Sequence, residues 1–209
     1  MARDHKADKH YKKAKREGYR ARSAYKLLDI QKRFNVFKRA FYILDLGSAP
    51  GSWLQVCQEK AEKNLQKYQD KHYHRDHYKI MGVDLKHVSP IEGTKTLRMD
   101  FTESEFIKRV REFFEDEPLD LVLSDASIKK SGIHFSDQIK QIRLGRQVLE
   151  LAGKFLKPGG DFVVKAFQGT DFPKFLKEVK REFRRTKSYK PQASKSQSNE
   201  IYVVGSGKR

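Results

Sequence analysis

The amino-acid sequence predicts an α/β fold built on a doubly wound, mostly parallel sheet that closes with an antiparallel C-terminal strand. Three observations predict it. Short, nearly continuous apolar runs of strand length alternate along the chain with stretches of helical periodicity. The first run leads through a turn of small residues, Gly47-Ser48-Ala49-Pro50-Gly51-Ser52, into a helical pattern. Carboxylates then fall at successive strand ends, Asp84, Asp100 and Asp125, on the edge where open α/β sheets bind ligands.

Each element follows from local pattern. Ser23 to Phe34 has Tyr25, Leu28 and Phe34 at mostly helical spacing, an amphipathic helix. Phe41 to Leu46 is apolar enough for a strand covered on both faces. A helix from about Ser52 follows, then strands near Lys79 to Val83, Thr96 to Met99, Leu119 to Ser124 and Asp161 to Phe167. Thr102 with Glu105 forms a candidate capping box ahead of Phe106 and Val110. Pro158-Gly159-Gly160 is expected to stop the long pattern running from Gln138 to Leu156. A last helix, about Phe172 to Phe183, leads into a closing pair of strands ending at Ile201 to Val204.

A chain of 209 residues fits a single domain, here residues 23–209. Before it, Met1 to Arg22 carries Lys6, Lys9, Lys12, Lys13, Lys15, Arg16, Arg20 and Arg22 with little to form a core, and is expected to be a flexible or phosphate-bound arm. Lys60 to Lys79 reads as an inserted loop or an extended helix. Its His72, His74 and His77, among Asp70 and Asp76, raise a metal site, but the alternating Lys, Tyr and His suit a hydrated surface better, so no metal is expected.

The 45 Lys+Arg against 27 Asp+Glu leave a net charge of +18, a field that concentrates polyanions and makes nucleic acid the expected partner. No apolar stretch approaches the roughly 20 residues that cross a bilayer, and the first residues lack a signal-peptide core. The expectation is a cytoplasmic monomer without membrane contact. Cys57, the single cysteine, excludes an intrachain disulfide and is read as a small helix-packing residue.

The turn Asp45 to Trp53 departs from the three-glycine dinucleotide fingerprint at Pro50 and Ser52, so it suits a nucleoside better than a diphosphate. Asp84, in Gly82-Val83-Asp84-Leu85, can accept from the hydroxyls of a ribose, although each strand-end carboxylate taken singly could instead cap a helix.

The run Arg22-Ser23-Ala24-Tyr25-Lys26-Leu27, the turn Asp45 to Trp53, Ser124-Asp125-Ala126, Val163-Val164-Lys165 and Ser198-Asn199-Glu200-Ile201-Tyr202 stand in an order that resembles the FtsJ/RrmJ-like ribosomal RNA 2′-O-methyltransferases over nearly the whole chain. The resemblance implies the Rossmann-like fold of the class I methyltransferases and S-adenosylmethionine as cofactor. Gly51 and Trp53 would then lie in the cofactor turn, Asp84 near the ribose, Asp100 near the adenine and Asp125 near the methyl-donor end. It also implies a Lys-Asp-Lys-Glu tetrad, which falls on Lys26, Asp125, Lys165 and Glu200.

A ribose hydroxyl is a poor nucleophile and must lose its proton as it attacks. A lysine can take that proton only when neutral, so its free pKa of about 10.4 must fall through burial or like charge. Lys165, at the end of the apolar strand Phe162 to Val164, is the expected base; Lys26 and Glu200 would position the hydroxyl and that lysine, and Asp125 would orient Lys165 and face the sulfonium. One departure from the family is the stretch Ala126-Ser127-Ile128-Lys129-Lys130-Ser131-Gly132, which lacks the proline often found there and is expected to be less restricted in conformation.

Arm cations with Arg22, Lys32, Lys38 and Arg39 are expected to form a basic track to Lys26, and Lys129, Lys130, Lys187, Lys190 and Lys195 to flank other strand ends. The resemblance implies a uridine of large-subunit ribosomal RNA, or the large subunit itself, as target. A tRNA ribose methyltransferase, a non-catalytic RNA-binding assembly factor and a small-molecule methyltransferase remain open alternatives.

Overall fold

A computed structural model describes residues 5–68, 75–195 and 197–209. Its helices are α1 (His5–Arg16), α2 (Ala24–Phe34), α3 (Ser52–Lys67), α4 (Ser104–Phe114), α5 (His134–Phe155) and α6 (Phe172–Glu182). Its strands are β1 (Tyr42–Leu46), β2 (Lys79–Asp84), β3 (Lys95–Arg98), β4 (Leu119–Ser124), β5 (Leu156–Phe167), β6 (Phe183–Tyr189) and β7 (Glu200–Lys208).

The strands form one seven-stranded sheet in the order β3-β2-β1-β4-β5-β7-β6. From β3 to β5 the pairing is parallel, and β7 runs antiparallel to both β5 and β6. The chain turns back on its own order between β1 and β4, which places the ligand crevice outside the carboxyl ends of those two strands. Each strand residue alternates sides: Tyr42, Leu44 and Leu46 pack with α4, α5 and α6, whereas Ile43 packs with α2 and α3. Two cores result, one on each face of the sheet.

Several expectations differ in detail. Pro158-Gly159-Gly160 does not separate α5 from β5; the strand begins at Leu156 and the three residues form an irregularity in it, since its pairing with β4 shifts from Leu119↔Leu156 to Leu121↔Asp161. The capping box at Thr102 is not made. Glu103 occupies the N-cap of α4 without a side-chain cap, and the Thr102 amide donates to Asp100 Oδ1 at 2.9 Å.

The stretch expected as an arm contains α1, which packs through Ala14 onto Tyr25 and Ala193. After it, the Tyr19 hydroxyl donates to Glu59 at 3.1 Å and the Tyr25 hydroxyl to Glu17 at 2.7 Å. Of the segment 60–79, residues 60–67 extend α3 and Lys79 starts β2. His77 Nε2 lies 2.8 Å from the Tyr42 hydroxyl, and Arg75 covers the Tyr42 ring. Asp70, His72 and His74 lie outside the described residues, and no metal-binding cluster occurs among those described. No helix among them is long and apolar enough to cross a membrane.

Candidate active site

The turn after β1 is built by backbone bonds to β2: the amides of Gly47 and Ser48 both donate to the Val83 carbonyl, at 2.8 and 3.2 Å. Asp84, the last residue of β2, fastens the other side, accepting from the Ala49 amide at 3.0 Å and from the Lys86 amide at 2.8 Å. Small residues were expected here so that a ligand could approach, and at two of the glycines protein atoms also come close. A Cβ on Gly47 would lie 2.4 Å from the Ala126 backbone, and one on Gly51, at φ +108°, would lie 2.7 Å from the Arg20 guanidinium.

Arg20 itself is a clamp. Its guanidinium donates to the carbonyls of Pro50, Ser89 and Pro90 at 3.2, 2.6 and 2.7 Å, tying the turn to the segment after β2. Its sequence neighbourhood suggested a phosphate contact. Three carbonyls that converge on one planar donor are a tertiary feature, invisible along the chain.

Asp45 and Ser48 are the unusual groups of this turn. Asp45 is fully buried on the α3 side, and neither its carboxylate oxygens nor the Ser48 hydroxyl has a hydrogen-bond partner among the described residues. Burial, reinforced by the charges of Asp125 and Asp84, pushes the Asp45 carboxyl well above the usual carboxylate range. A cationic or hydrogen-bond-donating ligand would satisfy these acceptors. Leu85, beside Asp84, is 64% exposed and offers an apolar surface on the same edge. Asp100 lies just past β3, half-buried, with Oδ1 accepting from Thr102.

Beyond β4 and β5 a charged cluster has formed. Lys165 Nζ, 7% exposed in its side chain, lies 3.1 Å from Asp125 Oδ1 and donates to the Asp125 carbonyl at 2.6 Å. Lys26 Nζ lies 2.6 Å from Glu200 Oε1, with both side chains largely buried. Tyr202 joins the two pairs: its hydroxyl donates to Asp125 Oδ1 at 2.6 Å and accepts from Lys26 Nζ at 3.3 Å. All four tetrad residues therefore share one cluster, and the antiparallel pairing of Lys165 with Tyr202 across β5 and β7 explains why the tyrosine belongs to it.

Burial alone would push the Asp125 carboxyl up. The ammonium groups of Lys165 and Lys26, with hydrogen bonds from Tyr202 and Lys165, outweigh it and hold the carboxyl below its usual range. Burial, then the charges of Asp125 and Glu200, push the Tyr202 phenol far up, so it remains a donor. The sequence signal for Tyr202 was its place in the Ser198 to Tyr202 run, but no role could be read there without knowing which strand it faced.

Helix α2 brings Lys26 to the cluster because its start is bonded to α3. The Trp53 indole donates to the Ser23 carbonyl at 2.9 Å, and the hydroxyls of Ser23 and Ser52 lie 2.8 Å apart. Trp53 is thus buried, its ring 5.8 Å from that of Tyr202, and it supports the floor between turn and cluster. On the far side, the Ser194 hydroxyl holds Glu200 at 2.9 Å, and Lys190 Nζ donates to the Ser198 carbonyl at 2.6 Å.

The proline-free stretch after Asp125 is restrained by side chains instead. Buried Gln141 donates to the Ala126 carbonyl at 3.0 Å and to the Lys165 carbonyl at 3.2 Å, and accepts from the Ile128 amide at 3.1 Å. Asp137 accepts from the Ser131 amide and hydroxyl at 2.9 and 2.8 Å and from the Gly132 amide at 3.3 Å. Gln141 therefore ties the backbone beside Asp125 to that of Lys165.

With this geometry in view, residues 19–208 match the family model described as FtsJ-like methyltransferase. The chain is 43% identical over 205 residues to a ribosomal RNA large subunit methyltransferase E of Methanothrix thermoacetophila, covering 98% of this chain and 74% of that one. It is 36% identical to the protein of the same name in Nitrosospira multiformis, covering 99% and 94%. Among solved structures, a Plasmodium falciparum chain assigned as a ribosomal RNA methyltransferase superposes with a TM-score of 0.76 at 25% identity, covering 91% of this chain and 98% of that one.

Proposed function

The chain belongs to the FtsJ-like methyltransferase family, with S-adenosylmethionine as its methyl donor, and on that footing we propose that it methylates a ribose 2′-hydroxyl of large-subunit ribosomal RNA. The observation that carries the reading is the linked pair of ion pairs, Lys26 with Glu200 and Lys165 with Asp125, joined through the Tyr202 hydroxyl at the carboxyl edge of the sheet. The named relatives favour ribosomal RNA over transfer RNA, and the net charge of +18 suits either polyanion.

The residues present fit the donor. Asp45 and Ser48 are buried acceptors beside the turn without a partner among the described residues, placed for a positively charged amino-acid end. Asp84 and Asp100 keep free lone pairs on the edge that would take ribose and base, and Leu85 gives the base an apolar face. When bound, S-adenosylmethionine supplies an electrophilic methyl on a sulfonium.

The protein's own part is to place and deprotonate the sugar hydroxyl. Lys165 is the base: its amine lies buried beyond β5 against the carboxylate and carbonyl of Asp125, and it takes the proton that the sugar hydroxyl loses. Asp125 fixes Lys165 through one carboxylate oxygen and its own carbonyl, while Tyr202 occupies the same oxygen and keeps the carboxylate oriented. Lys26, held by Glu200, donates to the attacking oxygen and positions it.

The reading is tested by incubating the protein with methyl-labelled S-adenosylmethionine and, separately, large-subunit ribosomal RNA, assembled large subunits and transfer RNA, then mapping the modified sugar. Label confined to a 2′-oxygen of the large-subunit RNA is the expected result. Label on transfer RNA alone would move the substrate, and an inert wild-type protein on all three would leave only a binding role.

A further inference from the structure

Of the five large apolar side chains exposed among the described residues, three fall in one stretch of seven: Ile133, Phe135 and Ile139, at 65%, 62% and 41% exposure. Ile133 is the N-cap of α5, and Phe135 and Ile139 stand four residues apart on one face of its first turns. The opposite face carries Asp137 and Gln141, whose bonds to residues 126–132 fix the loop, so the apolar side chains point outward from a braced element rather than from a slack one.

The surroundings of this patch are cationic. Between Asp125 and Glu150 the single acidic residue is Asp137, which is buried with both oxygens engaged, whereas Lys129, Lys130, Lys140 and Arg143 are exposed. Lys130 Nζ lies 5.1 Å from the centre of the Phe167 ring, and Phe167 is two residues along β5 from Lys165, so the basic stretch meets the strand that carries Lys165. An exposed planar ring on a stretch of chain rich in cations and without an exposed acid of its own is the combination that takes unpaired nucleotides: bases stack on the ring and the cations follow the phosphates.

The geometry points to Phe135 as a stacking platform for an unpaired base next to the target nucleotide, flanked by Ile133 and Ile139, with Lys129, Lys140 and Arg143 on the adjoining phosphates. This rests on the RNA substrate proposed above. It adds a specificity: the strand must be unpaired where it crosses the start of α5, as a duplex keeps its base faces covered by their neighbours.

The test uses Phe135→Ala and Phe135→Trp in the full chain, both at an exposed position. The first probe is a single-stranded RNA oligonucleotide carrying 2-aminopurine, compared with its duplex; the second is unmodified large-subunit ribosomal RNA in the methyl-transfer assay. The wild type should quench the single strand and not the duplex. Phe135→Ala should lose the quenching and raise KM for RNA about tenfold, the scale of one base-aromatic stack, with kcat and cofactor affinity unchanged, and Phe135→Trp should restore both. An unchanged KM and undiminished quenching in Phe135→Ala, or a loss that Trp does not repair, would overturn the platform and leave the patch to a protein partner. A wild type that quenches but transfers no methyl to RNA would refute the proposed reaction while leaving the platform in place.

Discussion

Asp45 and Asp125 sit on adjacent strands at the same edge of the sheet, and the protein treats them in opposite ways. Asp125 is surrounded by two lysines and a tyrosine hydroxyl, and its carboxyl is held low. Asp45 is fully buried, has no hydrogen-bond partner among the described residues, and is pushed high. An isolated buried carboxylate is costly, whereas a paired and hydrogen-bonded one is tolerable. The chain thus completes the electrostatics of the charged cluster beyond β4 and β5 by itself, whereas those of the turn after β1 are left incomplete among the described residues.

The contrast can be broken most sharply at Lys165. Lys165→Ala should lower kcat for methyl transfer by about a thousandfold, the range of a lost general base, while calorimetric affinity for S-adenosylmethionine is preserved. Near-normal turnover would mean that the self-completed cluster is structural. From the other side, Asp45→Asn should weaken the cofactor about 10- to 100-fold, the scale of a charge-assisted hydrogen bond, with little effect on RNA affinity. Equal affinity in that variant would show that the unpartnered carboxyl is not a ligand group.

Gln141 offers a smaller and more discriminating change. It touches no reacting atom, yet it joins the backbone of Ala126 to that of Lys165. Gln141→Leu should reduce kcat about tenfold through misplacement of Lys165 and leave KM for the cofactor alone. A fall in thermal stability with unaltered kcat would make it a packing residue only.

The smallest expected effect is on the pH dependence of stability, where the two carboxylates have opposite signs. The Asp45 carboxyl keeps its proton in the folded protein after the unfolded chain has lost it, so its contribution weakens stability as pH rises above about 4. The Asp125 carboxyl is depressed, so its stabilising contribution is present above about pH 4 and is lost as pH falls through the lower folded value. Without cofactor, Asp45→Asn should therefore melt higher than the wild type near neutrality and flatten the upper limb of the profile, and Asp125→Asn should flatten the acid limb. Identical melting curves across that range would remove the distinction.

The sequence alone determined the alternation of strands and helices, the turn after β1 and the acidic strand ends, because each is written in a local pattern: apolar runs for buried strands, small residues for a turn, a charge where a strand meets solvent; the tetrad positions were named only through the resemblance to the family. Even there, boundaries escaped where a local signal competed with pairing, as at Pro158-Gly159-Gly160, which the neighbouring β4 draws into the strand. Only the tertiary structure decided which groups meet. Tyr202 reaches Lys26 across 176 positions and Asp125 across 77, and Arg20 finds the carbonyls of Ser89 and Pro90 some 70 residues away. Such contacts depend on strand order, on the antiparallel register of β5 with β7 and on the seating of α2 against α3, and none of these leaves a periodic mark in the chain.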